Sequence, residues 1–148
     1  MSRIVLDASC LIAAVCGWHE YHAPTSEAFA RSRKRGDEIV TVAHALAEAY
    51  SVLTRLPSPH RLSPEDAFTL LDANWSDSKT VALSPRDYWR LLRSASQSAV
   101  TGGLLYDAII AATARKAGAE RLWTWNPRHF SRFEDDRLSV LTPAADAK

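Results

Sequence analysis

The chain is poor in cysteine, glycine and methionine, with 2, 5 and 1 among 148 residues. It also has no long apolar run. Two cysteines exclude the disulfide framework that staples small secreted domains. Cys10 and Cys16 are about 240° apart around a helix, so they do not face each other, and their spacing matches no zinc motif. They read as small buried hydrophobes of a reducing compartment. No stretch approaches the roughly 20 apolar residues of a membrane span. Asp7 interrupts the first apolar run before it could act as a secretory segment. The expectation is a cytoplasmic protein with no membrane partner. An excess of one charge is missing too. Lys and Arg number 18 against 17 Asp and Glu, a net charge of +1. Bulk charge therefore announces no polyanionic partner, although an acidic site and a basic rim would cancel in that sum.

What is present is the balance of a globular domain, 47% hydrophobic and 24% charged, in a chain long enough for one core and too short for two. Short apolar runs alternate with helical patterns. Ile4–Leu6 is a buried strand that runs into Asp7, and Ala8–Val15 follows as a helix that Asp7 or Ser9 can cap. WHEYHAP, 18–24, is a turn into a helix over Thr25–Arg35, whose basic last turn and Gly36 suit a helix end. Glu38–Val42 is a second strand. The next helix runs about Ala43–Leu56, with Leu46, Ala49, Tyr50 and Leu53 as its buried stripe. His44 and Glu48 share another face, and as an i, i+4 pair could touch one cation. Ser63-Pro64-Glu65-Asp66 and Ser84-Pro85-Arg86-Asp87 each give an N-cap, a proline at the first helical position and early acids. Their stripes are Ala67, Leu70, Leu71 and Tyr88, Leu91, Leu92, Ala95. Thr80–Leu83 is a strand between them. Gly102-Gly103 precedes LLYDAIIAATARKAG, a helix apolar or small on every side from Ala108 to Ala114 except Thr113. Arg121–Trp125 is a strand, Asn126-Pro127 opens a short turn, Leu138–Leu141 is an edge strand, and the tail PAADAK is expected to fray. The alternation predicts one three-layer α/β/α domain over 1–148 with a mostly parallel sheet.

Asp7 and Asn126 each follow a strand, Asp107 opens a helix, and Glu48 lies one turn into another. All can converge on the carboxyl edge of a parallel sheet, where such folds bind ligands. Each has an ordinary structural role as well: Asp7 and Asn126 as caps, Asp107 as a dipole-favoured acid, Glu48 as a solvated side chain. Clustered carboxylates resist ionisation unless a cation neutralises them, and an all-oxygen site calls for Mg²⁺ or Mn²⁺.

IVLDAS, the glutamate of AHALAEAYSVL, the aspartate of LLYDAIIAATARKAGA, and LWTWNPRHF together resemble the four signatures of PIN-domain nucleases, in particular VapC-type toxins of bacterial toxin–antitoxin pairs. The resemblance runs from Arg3 to about Thr142, and YDAIIAATA with TWNPRHF is its most specific part. It implies that Asp7 and Asp107 ligate the metal directly, with Glu48 acting through water. Asn126 stands where the family carries an acid or an amide, so a fourth charge is missing, which weakens the case for a tightly held second metal but not for the first and leaves one or two metals open. Ser9 and Thr124 match hydroxyl positions that would hydrogen-bond the acids. The activity implied is an endoribonuclease hydrolysing RNA phosphodiesters by metal-activated water. Arg128 and His129 are candidate RNA contacts; Trp125 or Phe130 could stack a base or simply fill the core. The resemblance also implies a homodimer and a cognate antitoxin, for which Trp18, Tyr21 and Phe29 are a candidate apolar patch. Two other readings fit the acidic edge: a PIN-like domain that binds RNA or a partner without cutting, and a receiver-like domain that takes a phosphoryl group on aspartate. Activity abolished by EDTA would decide against the first, and absence of acyl-phosphate labelling against the second.

Overall fold

Five strands form one sheet in the order β3-β2-β1-β4-β5, all parallel, in a computed structural model that describes residues 2–146. The strands are β1 (Arg3–Leu6), β2 (Glu38–Val42), β3 (Lys79–Val81), β4 (Arg121–Trp123) and β5 (Ser139–Leu141). Successive residues point to opposite faces of a sheet. Ile4, Val5 and Leu6 are all fully buried, as are Val40 and Thr41, so both faces are covered. That is the three-layer α/β/α arrangement, and it is why β1 reads as a continuous apolar run rather than an alternating one.

Seven α-helices flank the sheet among the described residues: α1 (Ala8–Val15), α2 (His22–Arg35), α3 (Ala43–Leu53), α4 (Pro64–Trp75), α5 (Pro85–Gln97), α6 (Leu104–Lys116) and the single turn α7 (Pro127–Phe130). None is long and apolar enough to cross a membrane. The middle of α6 is enclosed. Ala108 to Ala111, Thr113 and Ala114 are all buried, and the Thr113 hydroxyl donates to the Ile109 carbonyl at 2.7 Å, so its one polar group is satisfied within the helix.

Several boundaries differ from the sequence expectation. α2 begins three residues early at His22, whose Nδ1 lies 2.8 Å from the Ala13 carbonyl; Pro24 sits in the first turn, where no amide donor is missed. α3 stops at Leu53 instead of Leu56, and its buried residues are Ala45, Ala49 and Leu53, with Tyr50 turned outward. β3 covers Lys79–Val81 rather than Thr80–Leu83. β4 ends at Trp123 because the Trp125 amide leaves the ladder to donate to the Ser9 hydroxyl at 2.9 Å. The tail is not frayed as far as Asp146. Pro143–Ala145 form a 3₁₀ turn capped by Thr142, and Asp146 is buried; the last two residues lie outside the described ones. Both cysteines are buried and unpaired.

Candidate active site

The strand order reverses at β1. From it the chain builds outward to β2 and β3 on one side and to β4 and β5 on the other. The crevice between the carboxyl ends of β1 and β4 is therefore the topological switch point, where open α/β sheets bind ligands. Asp7 stands there. Its amide continues the ladder by donating to the Trp123 carbonyl at 3.1 Å, and its side chain caps α1 by accepting from the Cys10 amide at 3.0 Å.

Two hydroxyls hold the Asp7 carboxylate. Ser9 Oγ donates to Oδ1 and Thr124 Oγ1 to Oδ2, both at 2.6 Å. Each hydroxyl also accepts a backbone amide from the segment after β4: Ser9 from Trp125 and Thr124 from Asn126, both at 2.9 Å. The two strand ends are thus clamped together through one carboxylate. Burial pushes the Asp7 acid up even against the hydrogen bonds from Ser9, Thr124 and Cys10, because those donors replace only part of its lost hydration.

Asp7, Glu48, Asp107 and Asn126 line one cavity of about 500 Å³. Asp107 projects from the first turn of α6 and Glu48 from the middle of α3. Burial raises the Asp107 acid to about 6; the charges of Glu48 and Asp7 push the same way, and His129 and His44 oppose them. The carboxylates therefore feel one another. Glu48 Oε1 approaches His44 Nε2 to 2.7 Å, yet the pair is out of line for a hydrogen bond and both atoms are buried without one. Asn126 is exposed and starts α7 without a side-chain cap bond, so its amide is uncommitted. An all-oxygen donor set of this kind fits a hard divalent cation. Among the described residues no three His, Cys, Asp or Glu side chains already form a closed cation cage.

His129 lines this cavity. Arg128 does not; it lies in an adjoining groove with Asp107, His129 and Arg132. Phe130 is core. Trp125 stacks on Tyr21 at 4.2 Å and donates from its indole to Thr25 at 2.9 Å, so it is structural. Trp18 and Tyr21 are exposed, whereas Phe29 is half-buried and packs against Trp75 and Trp123. Sequence reasoning missed the apolar wall of the cavity, formed with Ile12, Val52 and Leu56. The signal was present: Val52 and Leu56 follow Glu48 at helical spacing, so the face that carries the acid continues as the wall. It also missed Arg132.

Comparison with known proteins places these features in a family. A model of the PIN domain matches residues 4–135. The chain is 40% identical to Ribonuclease VapC40 of Mycobacterium tuberculosis over 137 residues, 93% of this chain and 96% of that protein. Among solved structures, Mycobacterium tuberculosis VapC20, a sarcin-ricin loop cleaving toxin, superposes with a TM-score of 0.69 at 15% identity, covering 87% of this chain and 94% of the other. DNA-bound VapBC from Salmonella typhimurium gives 0.67 at 19% identity, covering 95% and 98%. The two structural likenesses speak to the fold.

Proposed function

The chain belongs to the PIN-domain family, and we propose that it is a ribonuclease toxin that hydrolyses RNA phosphodiester bonds with Mg²⁺ or Mn²⁺ at Asp7, Asp107 and Glu48. One observation carries the reading. Three carboxylates delivered by three separate elements open into one cavity at the sheet's switch point, where the Asp107 acid is raised to about 6. Asp7 also clamps the strand ends, but carboxylates that share one cavity with a raised acid among them suit a site that binds positive charge.

Asp7 and Asp107 would hold the cation directly and Glu48 through water. When bound, the ion supplies Lewis acidity and a nucleophilic water at neutral pH. The residues do the rest. Ser9 and Thr124 keep the Asp7 carboxylate oriented. Glu48, which lines the cavity with Asp7 and Asp107, takes a proton from the attacking water. His129 and Arg128, beside Asp107, face the phosphate charge. Attack at phosphorus breaks the bond to the 3′-oxygen, which takes a proton from solvent to leave as a 3′-hydroxyl, and the other product carries a 5′-phosphate. Asn126 adds an oxygen donor but no charge, so one cation is expected. The VapBC likeness supports an antitoxin partner and the family resemblance a homodimer, with Trp18 as an exposed aromatic that lines the cavity.

The test is cleavage. The purified protein, free of any partner, should cut a structured RNA with Mg²⁺ or Mn²⁺ and stop on adding EDTA. Asp7→Asn and Asp107→Asn should each lower the rate on the order of 10²-fold or more, by analogy with losing one electrostatic stabiliser elsewhere. Undiminished rates in both variants would overturn the assignment.

A further inference from the structure

α5 carries a face that nothing in the fold explains. Arg86, Trp89, Arg90, Arg93 and Gln97 recur at i, i+3, i+4, i+7 and i+11, which confines them to an arc of about 100°. All five are exposed, and Trp89 is 74% open to solvent. They line one shallow groove. The opposite face, centred on Ala95, is the one that packs, and α6 is its neighbour. Among the described residues no carboxylate pairs with Arg86, Arg90 or Arg93. The one acid of the helix, Asp87, is taken by Lys116 at 2.9 Å and by the Ser84 amide. Three uncompensated guanidiniums therefore stand along about 10 Å of helix axis in a chain whose net charge is only +1.

This face connects to the cavity. Arg132 donates to the Ser98 carbonyl, one residue past α5, at 3.1 Å. The same Arg132 lines the groove that holds Arg128, His129 and Asp107. The carboxyl end of α5 is thereby pinned to the basic groove beside the acids.

We propose that the outward face of α5, with Arg86, Arg90, Arg93 and the exposed Trp89, is an RNA-docking surface that grips the sugar-phosphate backbone of a substrate longer than the cavity. The proposal rests on the ribonuclease reading and names where the substrate is held outside the cut. Guanidiniums at helical spacing contact phosphates and carry no sequence code. An exposed tryptophan among them offers a stacking platform that any unpaired base can use. A second copy of the chain fits worse. In a two-fold contact the same patch meets itself, which would oppose arginine to arginine.

The test measures binding in EDTA, so that it does not depend on cleavage. The probes are an RNA hairpin of about 30 nucleotides and an RNA of about four, short enough for the cavity alone. Arg86→Gln/Arg90→Gln/Arg93→Gln should weaken hairpin binding at least about ten-fold at low salt and reduce the slope of log affinity against log salt by about 2. The short RNA should bind as before. Trp89→Ala should weaken the hairpin by roughly five-fold or more, and the triple Arg→Lys variant should keep the salt slope. An unchanged slope and affinity in the glutamine variant would overturn the docking surface while leaving the ribonuclease reading intact. So would a variant that loses only self-association, or only binding to an acidic protein partner. If wild-type protein fails to cut RNA yet shows the arginine-dependent slope, the ribonuclease reading falls and the surface stands.

Discussion

Asp107 shows most directly how one residue couples the cavity to solution conditions. Its acid is raised to about 6, first by burial, with Glu48 and Asp7 adding repulsion. A raised carboxyl stabilises the fold fully below its unfolded value, about 4, and that contribution is lost as pH rises through about 6. The metal-free protein should therefore lose stability across that window. The amount is about 1 kcal/mol, or a few degrees in Tm, once solvent screening of a half-open group is allowed for. A divalent cation reverses the loss, and protons compete with it. The rise in Tm on adding Mg²⁺ or Mn²⁺ should be large at pH 7.5 and small at pH 5, and Asp107→Asn should abolish most of it. Equal shifts at both pH values would count against cation binding by this acid. The position of Asp107 was legible from its place at a helix start, and that of Asp7 from a strand handing over to a helix. Phe29 was not legible. Its partial burial depends on Trp75 and Trp123, which arrive from distant segments.

Among the elements, local chemistry was read well and rotation about the helix axis was not. The Ser-Pro starts of α4 and α5 both appear as expected, with Ser63 accepting from Asp66 and Ser84 from Asp87. The stripe of α3 is turned by about a residue, exposing Tyr50 and burying Ala45, while the face bearing Glu48 and Val52 lines the cavity. The stripe of α5 reduces to Ala95; Tyr88 and Leu92 remain exposed. Periodicity shows that a helix has two faces, and only tertiary neighbours decide how much of the apolar one is covered. The α5 cap also sets a pH response. Lys116, then the amide and hydroxyl of Ser84, hold the Asp87 carboxyl well below the usual carboxylate range. A depressed acid stabilises the fold above about pH 4 and loses that contribution as pH falls below it. Asp87→Asn should lower the urea midpoint at pH 7, and its gap from wild type should narrow below about pH 4. A gap that stays constant down to pH 2.5 would show that the helix cap, and not the charge, carries the effect.

At the scale of the whole molecule, the end of the chain locks the sheet from the side opposite the acids. Arg121 opens β4, and both oxygens of Asp146 accept from its Nη1 at 2.8 Å. The buried Trp123 indole donates to the same carboxylate at 2.8 Å, and Arg35 reaches it at 3.5 Å. Arg121 and Arg35 also pair with Asp37, at 3.1 and 2.8 Å, and Asp37 accepts from Ser2. The network thus joins the residue before β1, the end of α2, β4 and the tail. The expectation of a frayed tail failed because an isolated aspartate near a terminus gives no local sign of its partners. Those partners lie 23, 25 and 111 residues away along the chain.

Removing one partner of a buried pair leaves the others desolvated and unmatched. Asp146→Ala should therefore destabilise the protein by about 2–3 kcal/mol, at or just below the roughly 3–5 kcal/mol of fully buried pairs, because Arg121 keeps some contact with water. Asp146→Asn retains an acceptor for the Trp123 indole and loses only the charge, so it should cost about half as much. Neither variant touches the Asp7 clamp, since Ser9 and Thr124 hold that carboxylate by bonds of their own. The rise in Tm on adding Mg²⁺ should then match that of wild type even as the metal-free Tm falls. Denaturant midpoints and paired melts with and without the ion check both halves. A tail that contributes nothing would leave the Asp146→Ala midpoint unchanged. A tail coupled to the cavity would diminish the metal-induced shift as well, placing the sheet's two ends in one cooperative unit.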